Sequence, residues 1–573
     1  MRKLFVYLRD YRRESVLGPL FKLLEATLEL IVPLVVAAII DRGVGSADRG
    51  YVVRMCLVLA ALGLVGMLFS VTAQFFAAKA SVGFVTKLRS ALFRHIQSLS
   101  YKTLDKAGVS TLITRMTSDM NQVQTGLNLT LRLLLRSPFV VFGAMIMAFT
   151  VDVRAALWFV LVIPILAAVV FAVMLTCIPL YKKVQSLLDR VLGGTRETLS
   201  GVRVLRAFGK EDEEIASFAQ KNDALTVMQK FVGRISALLN PVTYVILNLA
   251  VLGLVRTGAI RVEAGLLTQG AVVALYNYMS QILVELIKLA NLILTVTKSV
   301  ACAKRIQTVL ELPEADGAQQ NLPSSDSAYR VEFRDAGVRY NETGEAALSG
   351  VNLRVRAGET VGVIGGTGSG KTTLVNLIPR FYDATEGQVF VDGQDVKSYD
   401  PASLRARIGV VPQKAVLFAG TIRDNLLWGR GDASDDQLLE AVRLAQAQDV
   451  VAAKGGLDGQ IEPFGRNLSG GQRQRLTIAR ALVRRPDILI LDDSASALDF
   501  ATDAALRGSL RELEYRPTVF IVSQRTSSIR FADQIAALDE GRVVGVGMHD
   551  ELLDTCPIYR EIYDSQFRKE AKA

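Results

Sequence analysis

The sequence predicts two parts: an all-α membrane domain of six helices with long extensions, followed by a soluble α/β domain. Three observations predict it. Hydrophobic residues make up 50% of the 573-residue chain, yet the long apolar runs fill only its first half. Lys and Arg gather after alternate runs rather than evenly. A complete GxxxxGK[ST] pattern, Gly365-Gly366-Thr367-Gly368-Ser369-Gly370-Lys371-Thr372, stands in the second half behind the apolar stretch Thr360-Val361-Gly362-Val363-Ile364.

The membrane part follows from length. A hydrocarbon core takes roughly 20 apolar residues per helical span, and runs near 16–40, 52–78, 127–151, 155–180, 236–257 and 268–297 meet that length. The first run carries Lys22, Glu25 and Glu29 and lacks a small-residue cleavage site, so it reads as an uncleaved first helix rather than a signal peptide. Arg2, Lys3, Arg9, Arg12 and Arg13 precede it. A second basic group, from Lys79 through Lys106 to Arg115, follows run two, and a third, from Lys182 and Lys183 to Arg234, follows run four. The connections after runs one, three and five carry few basic residues. Because positive charge collects on the cytoplasmic side, the N-terminus, both long loops and the C-terminal domain are placed inside. The bacterial plasma membrane is the expected location. Membrane topology thus accounts for the net charge of +10, and nucleic acid is excluded as a partner. Cys56, Cys177, Cys302 and Cys556 are scattered without a CxxC pair, and His95 and His549 form no ligand pattern.

The segments between runs two and three and between runs four and five read as helices continuing into the cytoplasm. Leu104–Ser110 breaks the first and Phe208–Asp212 the second. The expected divisions are a membrane domain at 1–312, a linker at 313–328 rich in Pro, Gly, Ser, Asp and Gln, and the α/β domain at 329–573.

A phosphate loop between a strand and a helix beginning near Lys371 binds nucleotide for physical reasons. Glycines let backbone N–H groups curl around phosphates, and the helix N-terminus adds favourable partial charge. Lys371 is placed to reach the outer phosphates of ATP, the Thr372 hydroxyl to ligate Mg²⁺, and Thr373 continues the loop into the helix. Asp492, ending the apolar strand Ile488-Leu489-Ile490-Leu491, is placed to hold Mg²⁺ directly or through water.

Together with Leu468-Ser469-Gly470-Gly471-Gln472, these motifs resemble the nucleotide-binding domain of an ABC transporter, and the whole chain resembles an ABC exporter half-transporter. The resemblance implies further roles. Tyr340 stands where related domains stack an aromatic on adenine, the plainer alternative being an ordinary strand aromatic. Gln413 matches the glutamine that senses the metal, and Asp499 matches the loop that crosses to the opposite site. The two helix breaks would carry coupling helices, the plainer alternative being solvated turns.

Two positions depart from the family. A Glu is expected after the Walker B aspartate and a His on the switch strand; the chain has Asp493 and Gln524. Asp493 keeps the carboxylate but is one methylene shorter, and a misplacement of about 1 Å costs on the order of a hundredfold in rate. Gln524 donates a hydrogen bond but carries no proton or positive charge near neutral pH. The signature is intact, and the resemblance implies that Ser469, Gly470, Gly471 and Gln472 grip the γ-phosphate held by a partner chain. The reading is a heterodimeric exporter of amphipathic compounds in which this chain supplies a degenerate ATP site and a partner half-transporter supplies the Glu and His. The alternatives are a slow homodimer and a nucleotide-gated regulator or channel.

Asn277, Gln281, Glu285, Lys288 and Asn291 recur at spacings of three or four and share one helical face. Ionisable residues at membrane depth face the bundle interior or a wet cavity, so the stripe is a candidate substrate pathway. For Glu285 the competing reading is a structural pair with Lys288, one turn away; Arg132 and Arg136 read as snorkelling or pairing between helices.

Overall fold

The computed structural model describes residues 3–314, 327–340 and 344–567. The chain divides into two compact units, Met1–Gln97 with Gly108–Leu312, and Ser98–Ala107 with Pro313–Ala573. The segment around the first expected helix break therefore belongs with the α/β unit. Most of the expected linker, 315–326, lies outside the described residues.

Six helices among the described residues of the first unit are long and apolar enough to span: Leu4–Val44, Arg49–Ser98, Val109–Val151, Val153–Ser200, Glu211–Glu263 and Gln269–Leu310. They are the first to sixth spans below. The second has 50 residues, about 75 Å of helix against a hydrocarbon core of about 30 Å. The excess forms the extensions that charge patterning predicts. Between the fourth and fifth spans, helix Val202–Phe208 ends at Gly209, whose left-handed φ of 60° suits a residue without a β-carbon.

The core of this unit is apolar and close-packed. Phe159 and Leu166 of the fourth span meet Leu254 of the fifth and Tyr278 and Met279 of the sixth, all fully buried. The Tyr278 hydroxyl donates to the Leu30 carbonyl at 2.6 Å, so the buried phenol is not left without a partner.

The second unit contains twelve strands among its described residues: β1 Val331–Val338, β2 Leu348–Val355, β3 Thr360–Gly365, β4 Glu386–Val391, β5 Gln394–Asp395, β6 Ile408–Val411, β7 Gly420–Thr421, β8 Gln460–Ile461, β9 Ile488–Asp492, β10 Thr518–Val522, β11 Gln534–Asp539 and β12 Arg542–Gly547. The larger sheet has the order β12-β11-β3-β10-β9-β6, parallel apart from the antiparallel edge strand β12. Strands β9 and β10 are buried throughout, as continuous apolar runs in a parallel sheet covered on both faces must be. A four-stranded antiparallel sheet, β2-β1-β4-β5, lies beside it. The adjacent strands β3, β10 and β9 all deliver motif residues at their carboxyl ends, the edge where open α/β sheets bind ligands.

Candidate ATP site and membrane ion network

The loop leaving β3 carries the phosphate-binding pattern. Gly370 holds φ of 94°, and a β-carbon there would stand 2.7 Å from the Ala347 carbonyl oxygen, so glycine is required twice over. A β-carbon on Gly366 or Gly368 would meet nothing within 4 Å, which leaves that side of the loop open to a ligand. The Ser369 hydroxyl is buried without a hydrogen-bond partner among the described residues. Lys371 turns back, donating to the Gly365 carbonyl at 2.9 Å and the Gly366 carbonyl at 2.6 Å. Burial pulls its ammonium below the ordinary lysine range, opposed by Asp493 and Asp492. An open loop, an orphaned hydroxyl and a desolvated cation fit a polyphosphate.

Asp492 ends β9 and accepts the Thr372 hydroxyl at 3.0 Å. Burial raises its pKa; the Thr372 bond opposes this and the neighbouring Asp493 charge adds to it. A divalent cation suits this pair, because a hard ion takes hydroxyl and carboxylate oxygens and compensates a buried carboxylate. Gln413 is close by, its side-chain amide donating to Asp493 Oδ2 at 3.3 Å. Asp493 sits in a left-handed conformation, φ 46° and ψ 30°, which Asp tolerates better than Glu. Its amide donates to the Val522 carbonyl at 3.0 Å, and the Ser523 amide donates to the Val363 carbonyl at 3.1 Å. Those two bonds set the start of the Gln524 turn between the phosphate loop and Asp493. The Gln524 side chain is exposed.

Tyr340 is 39% exposed, leaving ring area to receive a base. Its hydroxyl pairs with Thr373 Oγ1 at 3.0 Å, and its ring meets Tyr382 edge-on at 5.1 Å. Tyr382 in turn donates to Asp105 on helix Tyr101–Ala107, and Tyr101 packs against Phe381 at 4.6 Å. Sequence reasoning missed this relay from the expected adenine position to the first expected helix break. Its signal was the aromatic pair Phe381-Tyr382 in a turn soon after the phosphate-loop helix.

Ser469 caps helix Gly470–Val483 reciprocally, its hydroxyl accepting the Gln472 amide at 3.3 Å while Gln472 Oε1 accepts the Ser469 amide at 2.9 Å. A β-carbon on Gly470 would meet nothing within 4 Å. Glycine there is not demanded by this chain's own packing, and the bare backbone faces open space. Asp499 caps the next helix, Phe500–Arg511, accepting the Thr502 amide at 2.8 Å.

In the membrane unit, Glu285 is 3% exposed. Its oxygens accept from Arg136 at 2.5 Å, Lys288 at 2.8 Å and Ser137 at 2.9 Å, and Arg136 also reaches Glu29 at 2.5 Å. The Lys288 pair is present, but the buried partner is Arg136 from the third span. Of the two expected readings of Arg136, pairing between helices is the one seen. Asn277 and Gln281 are half-buried, while the Lys288 side chain is 43% exposed.

The comparisons agree with this geometry. Residues 15–286 match the ABC transporter transmembrane region and residues 348–496 the ABC transporter domain. An uncharacterized ABC transporter ATP-binding protein of Mycobacterium tuberculosis is 38% identical, over 98% of this chain and 97% of its own length. An ATP-dependent lipid A-core flippase of Syntrophus aciditrophicus is 32% identical, over 85% of this chain and 81% of its own length. The structure of a bacterial Atm1-family ABC exporter with ATP bound superposes with a TM-score of 0.81 at 25% identity, covering 97% of this chain and 98% of that one. Fold, ATP site and relatives converge: the chain belongs to the ABC transporter family, as an exporter-type half-transporter whose membrane and ATP-binding domains are fused.

Proposed function

We propose that this half-transporter works beside a different half-transporter, holding ATP at its own slow site and completing the partner's fast one. The observation that carries the reading is the pair Asp493 and Gln524, at the two places where hydrolysis needs a base and a proton-bearing contact. Around them Lys371, Thr372 and Asp492 keep the arrangement of a binding site. Tyr340 stacks on the adenine. Thr372, Asp492 and Gln413 hold Mg²⁺, which when bound neutralises phosphate charge. Ser469, the bare Gly470, Gly471 and Gln472 face the partner's γ-phosphate, and Asp499 lies on the loop that crosses to it.

ATP binding draws the two soluble domains together, and the coupling segments pass this to the spans, which open the cavity outward. Hydrolysis at the partner's site resets the cycle. The location proposed is a bacterial plasma membrane with the N-terminus and ATP-binding domain in the cytoplasm, from the distribution of basic residues. The cargo is amphipathic, a drug, lipid or peptide, and the similarity to a lipid A-core flippase favours lipid-like compounds. Asn277, Gln281 and Lys288 are the pathway residues retained. Glu285 is better suited to anchoring helices, since it is already engaged by three donors.

The test is the composition of the native complex, by tagging this chain in its own cells and applying native mass spectrometry. A one-to-one complex with a half-transporter bearing the missing Glu and His is expected. A complex of this chain alone would overturn the division of labour and make Asp493 a working base.

A further inference from the structure

The switch turn is held from a direction that the ATP-site motifs do not reveal. Gln566 lies on helix Pro557–Phe567, 42 residues beyond Gln524. Its side-chain Nε2 donates to the Gln524 carbonyl at 2.8 Å, and its Oε1 accepts the Thr526 amide at 2.9 Å. One primary amide thus satisfies the C=O of residue 524 and the N–H of residue 526 together, as a neighbouring strand would.

The helix bearing it is firmly seated. Tyr559 is fully buried in the core of the larger sheet, with Ile558 and Ile562 packed beside it. The Tyr559 hydroxyl pairs with His549 Nδ1 at 2.7 Å. On the other side of the turn, the Ser523 amide is fixed to Val363 of β3, and the Arg525 amide donates to Ser523 Oγ at 2.9 Å. The Gln524 side chain makes no hydrogen bond among the described residues and is exposed, so its aim is set by its backbone. That backbone is gripped by β3 before it and by Gln566 after it.

We propose that Gln566 is a positioning residue for nucleotide discrimination: by fixing the Gln524 peptide it keeps the Gln524 amide aimed at the γ-phosphate, so that helix Pro557–Phe567 sets how strongly this chain's own site prefers ATP to ADP. The proposal rests on the reading of Gln524 as the switch residue. It assigns Gln566 no contact with nucleotide.

An isosteric change separates positioning from packing. In Gln566→Glu one carboxylate oxygen still accepts the Thr526 amide, while the other confronts the Gln524 carbonyl, oxygen against oxygen. The full chain, in its native complex in lipid nanodiscs, is photolabelled with 8-azido-ATP and read on a gel that separates it from any partner, with ATP or ADP as competitor. Gln566→Glu is expected to weaken ATP competition about threefold to tenfold, the worth of one hydrogen bond, with ADP competition unchanged within about twofold. Gln524→Ala is expected to do the same, and the double variant to be no worse than Gln524→Ala alone. Equal losses for ATP and ADP, or additive losses in the double variant, would overturn the positioning role. If Gln524→Ala shifts the ratio and Gln566→Glu does not, the clamp alone is wrong. If Gln524→Ala leaves the ratio unchanged, the switch assignment falls and takes the clamp with it. Should Gln566→Glu fold poorly, Gln566→Met deletes both bonds at similar volume, and the ratio of competition constants does not depend on the folded fraction.

Discussion

Removing Arg136 while keeping Glu285 should destabilise the membrane unit by an amount the ion network sets. The Arg136 and Glu285 side chains are 6% and 3% exposed, and their charged atoms are 2.5 Å apart. Breaking a buried pair by deleting one partner costs about 3–5 kcal/mol, because the other charge stays desolvated. In Arg136→Met, Glu285 retains Lys288 at 2.8 Å and the Ser137 hydroxyl at 2.9 Å. That remainder puts the expected loss at the lower end, about 3 kcal/mol, a factor of roughly 150 in the unfolding equilibrium. Glu29, 40% exposed, can rehydrate when it loses Arg136 and adds little. The double variant Arg136→Met, Glu285→Gln removes both buried charges and should recover most of the loss, to within about 1 kcal/mol of the parent. Unfolding in lipid nanodiscs can be followed by emission from Trp158, which sits in the fourth span with its indole N–H on Thr257, in a Trp428→Phe background. If Arg136→Met unfolds with the parent, or if the double variant is no better than the single, the network is not a stabilising buried pair. The same series also disciplines transport measurements: lost export in Glu285→Gln means a substrate contact only when the amount of folded protein is unchanged.

Three further outcomes are expected. Asp493→Glu with Gln524→His should raise hydrolysis at this chain's own site by about tenfold to a hundredfold, measured as single-turnover ADP formation; the longer side chain accepts the left-handed backbone at a cost of about 1 kcal/mol, visible as a slightly lower Tm. Asp492→Asn should raise the Tm of the nucleotide-free protein, because a buried carboxyl whose pKa is raised on folding favours its neutral form and loses stability as pH rises through that pKa; the same variant should lose the Mg²⁺ dependence of ATP binding. Tyr382→Phe keeps the ring against Tyr340 and deletes the bond to Asp105, so ATP affinity should stay within about twofold while cargo-stimulated hydrolysis falls several-fold.

What could be read in the sequence was local, and what could not was long-range. A span announces itself because its apolar residues are contiguous, and a phosphate loop because eight consecutive residues carry its geometry. Ser469 and Gln472 are three apart, so their mutual cap is written in the chain. Arg136 and Glu285 are separated by 149 residues, and helical periodicity predicts which face a charge occupies but not which helix meets it. Hence Lys288, the neighbour one turn away, was the visible partner and Arg136 was not. Tyr382 and Asp105 are 277 residues apart and fall in different predicted domains. Gln566 carries no motif at all; only the packing of Tyr559 brings it to the switch turn.

The polar ties of the membrane unit also bear on how it moves. The first, second, third and sixth spans are joined by directional bonds: Lys22 to Ser70, Lys79 to Glu14, Asn128 to Ser81, Arg136 to Glu29 and Glu285, Arg305 to Asp119, and Gly270 to Asp41. The fourth and fifth are joined by another set: Arg261 to Asp152, Trp158 to Thr257, Tyr181 to Ser236 and Thr198 to Glu214. None of these ties crosses from one group to the other. Between the groups lie Phe159, Val162 and Leu166 against Tyr278, Met279 and Ile282, an apolar seam with one phenol turned towards Leu30. Breaking a buried ion pair costs several kcal/mol at once, whereas apolar surfaces that slide exchange one set of non-directional contacts for another. Any rearrangement of the spans within this chain would therefore cost least at that seam, between the fourth and fifth spans and the other four. The Arg136 network lies wholly on one side of it, so it can hold its group rigid without having to break.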